Sequence, residues 1–147
     1  RPHPGRPLRE PPMIRSVIVD ASAIVGFVLD PPTHPLVLEM VEDEGCEILV
    51  PHVCDIEVVS ALRSVVRRRQ ADTGRAREAI RDYMELPIER LNHHPFLERI
   101  FEMRDNFSAY NAAYVAVAEA FEAPLYTTDE RLARAVREHT GVEVAEV

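Results

Sequence analysis

Three acidic residues and one asparagine lie where predicted strands end or predicted helices begin. Asp20 closes the apolar run IRSVIVD, Glu57 lies early in the segment VCDIEVVSALR, and Asp129 follows the run APLYTT. Asn111 lies near the start of the alanine-rich segment SAYNAAYVAVAE. Carboxylates brought together repel one another, and hard divalent cations relieve that repulsion because they take oxygen ligands. The three acids therefore predict a Mg²⁺ or Mn²⁺ site that activates water and clamps a phosphate during phosphodiester hydrolysis.

Short apolar runs alternate with helical patterns along the chain, and this alternation positions the four residues. The runs cover residues 14–20, 46–50, 87–91 and 123–128, with a possible fifth strand at 142–147. Strands alternating with helices predict a parallel sheet covered by helices on both faces. In such a sheet, sites form beyond the carboxyl ends of the strands, where the strand order reverses. We therefore expect all four side chains at one edge of the sheet.

Each of the four residues also has a simpler explanation when it is taken alone. Asp20 and Asp129 are typical of turns or helix caps, and Glu57 is typical of a solvated helix position. Asn111, three residues after Ser108, is placed to reach back to a helix cap. The prediction of a metal site depends on the set of residues rather than on any one of them.

Length and composition restrict the class of protein. A chain of 147 residues with 46% hydrophobic and 29% charged residues predicts one domain, at residues 13–147, after a flexible Pro- and Arg-rich leader at residues 1–12. No apolar run approaches the roughly 20 residues that span a bilayer, so we expect a cytoplasmic protein. The net charge of −8 argues against a protein that coats nucleic acid but is compatible with a local basic groove.

Four segments, taken in order, resemble a known protein family. The segments IVDASAIV, CDIEVVSALR, SAYNAAYVAVAE and APLYTTDERLARA resemble the PIN-domain ribonucleases of the VapC toxin type. The resemblance implies an α/β fold, a three-layer α/β/α sandwich with a parallel sheet of four or five strands. It also implies an endoribonuclease dependent on Mg²⁺ or Mn²⁺ that acts on structured RNA such as tRNA or ribosomal RNA. Asp20, Glu57 and Asp129 match its metal ligands, and Ser22 and Thr127 match hydroxyl residues that orient carboxylates or waters.

Asn111 departs from the pattern of this family, whose motif usually reads Tyr-Asp-Ala at this point. An amide keeps one acceptor oxygen but loses the charge, so it binds a hard cation less well than aspartate does. We interpret Asn111 as the position of a missing carboxylate, in an enzyme that is either natively weak or deliberately inactivated. The resemblance further implies a homodimer and a VapB-type antitoxin whose C-terminal segment covers the acidic cleft, often with an arginine among the acids.

Arginines form the candidate RNA interface. Arg63, Arg67 and Arg68 begin the only dense basic stretch of the chain, which is either a solvated helix face or a rim that contacts RNA phosphates. The adjacent His93 and His94 point to different faces, so we interpret them as loop residues. We expect Tyr110, Tyr114 and Phe121, which recur at helical spacing, to lie in the core rather than to stack on bases.

The apolar pattern of residues 53–70 predicts which face of that helix is buried. Ile56, Val59, Leu62 and Val66 recur at helical spacing and are therefore expected to form one buried stripe. Broad apolar faces on this segment and on residues 35–44 are candidates for dimerisation or for contact with a partner helix.

Two other classes of function remain open. The first is a phosphoaspartate enzyme of the receiver or haloacid-dehalogenase type, but those resemblances require a lysine and this chain has none. The phosphatases also require a second aspartate where Ser22 stands. The second alternative is a non-catalytic PIN-like binding module. Asn111 favours that alternative, and the three retained acids argue against it.

Overall fold

The structure is a computed structural model that describes residues 14–147. The leader predicted at residues 1–12 and Met13 lie outside the described residues. Five strands and seven α-helices alternate within the described part of the chain. The strands are β1 (Arg15–Val19), β2 (Cys46–Pro51), β3 (Ile88–Leu91), β4 (Leu125–Thr127) and β5 (Val144–Glu146), and the helices are α1 (Ala21–Leu29), α2 (Pro35–Glu42), α3 (Val53–Arg67), α4 (Thr73–Glu85), α5 (Leu97–Glu102), α6 (Ala109–Phe121) and α7 (Glu130–His139).

One parallel sheet with the strand order β3-β2-β1-β4-β5 forms the centre of the molecule. Val17, Ile18 and Val19 on the central strand are 0% exposed, as expected for a strand covered on both faces. The chain runs outward from β1 to β3 and then returns to β4, so the strand order reverses between β1 and β4. The predicted α/β/α sandwich is confirmed with five strands, and the candidate site is expected beyond β1 and β4.

Polar side chains cap the helices that begin at the carboxyl edge of the sheet. Asp20 caps α1, Ser108 caps α6 and Asp129 caps α7, each by accepting hydrogen bonds from N–H groups of the first turn. Helix α6 is buried continuously over residues 112–118, because it packs on β1 and β2 and its small side chains allow close approach. The caps and the packing together fix the positions of the residues at this edge.

Gly26 interrupts the apolar run of α1 for a packing reason. A Cβ atom at this position would lie 2.7 Å from Nε2 of His34, which is too close for any side chain. His34 precedes α2, and its ring therefore packs directly on the backbone of α1. Glycine has a low helix propensity, but its lack of a side chain is what allows this close approach.

The buried face of α3 differs from the predicted stripe. Cys54, Val58 and Leu62 are buried, whereas Ile56 is 71% exposed and Val59 is 48% exposed. Both rows have helical spacing and apolar side chains, so periodicity alone does not identify the row that faces the protein interior. The prediction was wrong for Ile56 and Val59, and two apolar side chains remain on the surface of α3. No helix among residues 14–147 is both long enough and apolar enough to cross a membrane.

Candidate active site

Asp20 is held in one orientation by hydrogen bonds to both of its oxygens. Its Oδ1 accepts hydrogen bonds from Ala23 N at 3.0 Å and Ser22 Oγ at 2.7 Å. Its Oδ2 accepts a hydrogen bond from Thr127 Oγ1 at 2.5 Å, across the point where the strand order reverses. Burial raises the pKa of Asp20, the hydrogen bonds from Thr127 and Ser22 lower it in part, and the charge of Asp129 raises it. The net result is a buried carboxyl with a raised pKa.

Ser22 and Thr127 connect Asp20 to Asp129. The two hydroxyl oxygens lie 3.3 Å apart, and Thr127 Oγ1 accepts a hydrogen bond from Asp129 N at 3.0 Å. Asp129 is exposed and caps α7 through its Oδ1, which accepts hydrogen bonds of 2.9 and 3.2 Å from first-turn N–H groups. The two hydroxyls thus couple the end of β1 to the start of α7. Both contact the Asp20 carboxylate, whereas Asp129 is contacted by Thr127 through its backbone N–H.

Glu57 is the carboxylate with an unpaired buried oxygen. Its Oε1 is buried and accepts no hydrogen bond within the described part of the chain. Burial raises the pKa of Glu57, the hydroxyl of Tyr114 lowers it, and the charge of Asp20 raises it. Tyr114 Oη lies beside Glu57 and Cys54 but makes no hydrogen bond of normal geometry with either. One oxygen of the half-buried Glu57 is therefore neither solvated nor hydrogen-bonded.

A cleft of about 610 Å³ opens between α3 and α6 beside Glu57. Asn111 lines this cleft from the third position of α6, and its backbone N–H donates to Ser108 Oγ at 3.2 Å. The side-chain amide of Asn111 does not bond back to the helix cap, so the capping contact considered from the sequence is not observed among residues 14–147. The other side chains that line the cleft are Ile56, Ser60, Ala61, Ser64, Ser108 and Tyr110.

The structure brings the predicted site residues together in pairs. Asp20 lies within electrostatic range of both Asp129 and Glu57, and Asn111 shares the cleft with Glu57. Among residues 14–147, no three Asp, Glu, His or Cys side chains are close enough together to hold a metal ion. The chemistry of the donors nevertheless fits a hard divalent cation, because they are carboxylate oxygens and one of them is buried without a partner. The predicted ligand set stays a prediction.

The three arginines of the candidate RNA interface are exposed on the C-terminal part of α3. Arg68 lies one turn beyond Ser64, on the same row of the helix as Glu57, which is consistent with a path along the cleft. Arg63 and Arg67 instead border a groove of about 280 Å³ between α3 and α4. The arginines therefore face two different surfaces.

A polar network at the start of α3 was not predicted from the sequence. Asp55 Oδ1 accepts hydrogen bonds from Tyr83 Oη at 2.5 Å and from Arg90 Nε at 2.7 Å. Burial raises the pKa of Asp55, but the hydrogen bonds from Tyr83 and Arg90 outweigh that effect and hold the pKa below its ordinary value. The partners lie 28 and 35 residues from Asp55, so no local pattern reveals the network. It ties the helix that carries Glu57 to α4 and β3.

Phe121, the last residue of α6, is 46% exposed and Tyr110 is 60% exposed, which corrects the expectation that they belong to the core. Tyr114, one turn later on the same row of α6, is 1% exposed. The two differ because Tyr110 lies in the first turn of α6, beside the cleft, whereas Tyr114 lies where α6 is covered on all sides. Helical spacing places Tyr110 and Tyr114 on one row of α6, but it does not show how far along that row the neighbouring elements cover the helix.

The fold and site define a parallel α/β protein with carboxylates at its topological switch point, and comparison with known proteins identifies its family. The family model described as PIN domain matches residues 17–138. Ribonuclease VapC9 of Mycobacterium tuberculosis strain H37Rv is 35% identical over 116 residues, which are 79% of this chain and 87% of the relative. The chain therefore belongs to the PIN-domain family and, within it, to the VapC ribonucleases.

Solved structures share the fold. PAE2754 from Pyrobaculum aerophilum superposes with a TM-score of 0.67 at 23% sequence identity, covering 92% of this chain and 85% of that one. VapBC2 from Rickettsia felis, solved bound to a DNA fragment from its promoter, superposes with a TM-score of 0.62 at 11% identity. That match covers 89% of this chain and 98% of the other. At these identities, the likeness shows the fold alone.

Proposed function

We propose that this chain is an endoribonuclease that hydrolyses phosphodiester bonds in structured RNA such as tRNA or ribosomal RNA, with Mg²⁺ or Mn²⁺ as cofactor. The observation that carries the proposal is the placement of Glu57, with an unpaired buried oxygen, within range of the buried charge of Asp20. Two mutually repelling carboxylates in a partly buried setting either retain a proton, as their raised pKa values indicate, or are stabilised by a cation bound between them. Membership of the VapC ribonucleases supports the same chemistry.

Asp20, Glu57 and Asp129 would hold the divalent ion. When bound, such an ion supplies a water of lowered pKa and neutralises charge on the phosphate. Ser22 and Thr127 hold the Asp20 carboxylate in one orientation. Asn111 offers an amide oxygen and an amide N–H₂ at the same surface but takes up no proton, so it supplies neither charge nor a base. We therefore expect weak ribonuclease activity from this chain.

Asn111→Asp tests the proposal directly. The variant adds a carboxylate beside Glu57, and we expect it to cleave a pool of cellular RNA with Mn²⁺ about 10- to 100-fold faster than the present chain. That is the range by which groups supporting a bound metal change activity. The assay follows RNA cleavage against Mn²⁺ concentration for both proteins.

Asn106→Asp provides the matched control, because Asn106 is exposed and does not line the cleft, and the substitution adds the same charge. This control is expected to leave cleavage unchanged. If Asn111→Asp cleaves RNA no faster than the control, Asn111 does not occupy the position of a missing carboxylate. If no version of the chain cleaves RNA with either metal, the non-catalytic binding module becomes the better assignment.

We also propose that a VapB-type antitoxin and a second copy of the chain bind this protein, which acts as a toxin in the cytoplasm until it is neutralised. The groove between α3 and α4 supports a partner helix, since Val59, Val66 and Ile80 line it and Arg63 and Arg67 border it. An apolar groove with basic margins fits an amphipathic segment with acidic residues. Arg68, on the cleft row, would contact RNA phosphates.

A further inference from the structure

A second, smaller cavity adjoins the candidate active-site cleft. It measures about 270 Å³ and lies among the starts of α3 and α6, helix α5 and the segment after β3. Its lining is mostly apolar and includes Val53, Leu97, Ile100 and Ala113. At ~30 Å³ for one water molecule, the volume corresponds to about nine waters. That size suits one flat ring system rather than a folded segment of a partner.

Tyr110 separates this cavity from the cleft, because it lines both of them. Its side chain is 60% exposed although it is a large aromatic group, and a free aromatic face beside a phosphate-binding cleft is suited to stacking. A group stacked on Tyr110 in the cavity would therefore be adjacent to a phosphate held near Glu57 and Asn111.

One polar atom of the lining residues is buried and lacks a partner. Nδ1 of His93 is buried and forms no hydrogen bond within residues 14–147. The ring of His93 is packed against the ring of His52, edge to face, with 6.2 Å between the centroids. Besides Tyr110, His93 is the lining residue whose side chain can hydrogen-bond to a ligand in the cavity. The cavity thus combines apolar walls, an aromatic face and one hydrogen-bonding group.

We propose that this cavity binds one unstacked nucleobase of the RNA substrate, with Tyr110 as the stacking surface and His93 as the hydrogen-bonding residue. A nucleobase has the matching chemistry, with flat apolar faces and a polar edge. The inference rests on the proposed function, since it assigns a base site to an enzyme that cuts the adjoining backbone. Recognition of one base beside the reacting phosphate would give the enzyme a preferred cleavage position.

The test uses a short single-stranded RNA with 2-aminopurine at its centre and the full chain in EDTA, so that binding is measured without cleavage. Stacking on Tyr110 is expected to quench the 2-aminopurine fluorescence. Tyr110→Phe is expected to keep the quenching, whereas Tyr110→Ala is expected to lose it and to weaken RNA binding about 5- to 150-fold, from the 1–3 kcal/mol of one stacked base. His93→Ala is expected to change the preference among RNAs that differ only at the central base.

Phe101→Ala is the matched control, because Phe101 is 67% exposed on α5 and lines neither the cleft nor the cavity. Loss of RNA affinity in Phe101→Ala equal to that in Tyr110→Ala would overturn the base site. So would a change in oligomeric state on Tyr110→Ala, measured by sedimentation, since the face would then contact a second copy. If the chain binds RNA with no dependence on Tyr110, only the base site fails. If it neither binds nor cleaves RNA, the proposed function fails and the base site fails with it.

Discussion

The carboxylates of Asp20, which is buried, and Glu57, which is half-buried, are held in opposite ways. Both oxygens of Asp20 accept hydrogen bonds, from two hydroxyls and one backbone N–H. One oxygen of Glu57 is buried without any partner among the described residues, and the nearest hydroxyl, that of Tyr114, makes no bond of normal geometry. Asp20 is thus part of the hydrogen-bonded framework, whereas Glu57 has an oxygen that a bound ligand could pair with.

The hydrogen bonds of Asp20 therefore bear on stability, whereas the unpaired oxygen of Glu57 bears on ligand binding. Hydrogen bonds that orient Asp20 contribute to folding whether or not a cation is bound. The burial of Glu57 raises its pKa and destabilises the folded protein at neutral pH, which is typical of groups retained for binding rather than for stability. Substitutions on the two sides should therefore change stability in opposite directions.

Thr127→Val should produce the largest change in this comparison. The substitution removes the donor to Asp20 Oδ2 and the acceptor for Asp129 N while conserving shape, so we expect a loss of about 2–3 kcal/mol in the free energy of unfolding. Urea denaturation monitored by circular dichroism measures the loss. Thr127→Ser keeps the hydroxyl and should lose much less. Equal losses in the two variants would show that the hydroxyl does not support Asp20.

Glu57→Gln should have a smaller effect of opposite sign. Because the folded-state pKa of Glu57 lies above the ordinary value of 4.5, the folded state binds more protons than the unfolded state in the window just above 4.5. Stability therefore falls as the pH rises through that window, and ionised Glu57 destabilises the protein at neutral pH. In EDTA at pH 7 we expect Glu57→Gln to raise Tm by no more than about 2 °C, because Glu57 is half-exposed and solvent screens its charge.

The pH dependence of this gain distinguishes it from a general effect of lost charge. The difference in Tm should shrink as the pH falls below 4.5, where Glu57 is protonated in both states. Glu85→Gln, at an exposed position at the end of α4, should leave Tm unchanged. A lower Tm for Glu57→Gln at pH 7 in EDTA would contradict the comparison, because ionised Glu57 would then stabilise the fold.

Tyr114→Phe should have the smallest effect. Its hydroxyl is buried without a normal hydrogen bond, so its removal is expected to change the free energy of unfolding by less than about 0.5 kcal/mol. The equally buried Tyr83 donates to Asp55, and Tyr83→Phe is expected to lose about 1 kcal/mol or more. Chemical denaturation of the two variants gives both values. A loss in Tyr114→Phe as large as that in Tyr83→Phe would mean that Glu57 is firmly bonded after all.

Local patterns were sufficient for the elements of this fold but not for their contacts. The runs of valine and isoleucine identified β1 and β2, and even the short β5 was anticipated, because strands buried on both faces have no polar alternation to obscure them. The buried row of α3 was assigned wrongly, since Ile56 and Val59 are as apolar as the residues that are buried. Which row faces inward depends on distant parts of the chain.

In the site, too, local patterns predicted the positions of residues but not their contacts. The placement of Asp20 and Asp129 at one edge follows from chain direction in a parallel sheet, and that was predictable. The exposure of Tyr110, the unpaired oxygen of Glu57 and the network around Asp55 depend on contacts between residues far apart in sequence, which no spacing rule contains.

The hydrogen bond between Thr127 and Asp20 also has a consequence for protein synthesis. The two residues are 107 positions apart, so the first carboxylate emerges long before the hydroxyl that orients it. At roughly 5–20 residues per second, that interval is on the order of 5–20 s. During this time the growing chain has Asp20 and Glu57 but lacks the strand that joins β1 on its other side. The site is thus completed only as the end of the chain is made, and a protein truncated before β4 would carry Asp20 and Glu57 but lack Thr127 and Asp129.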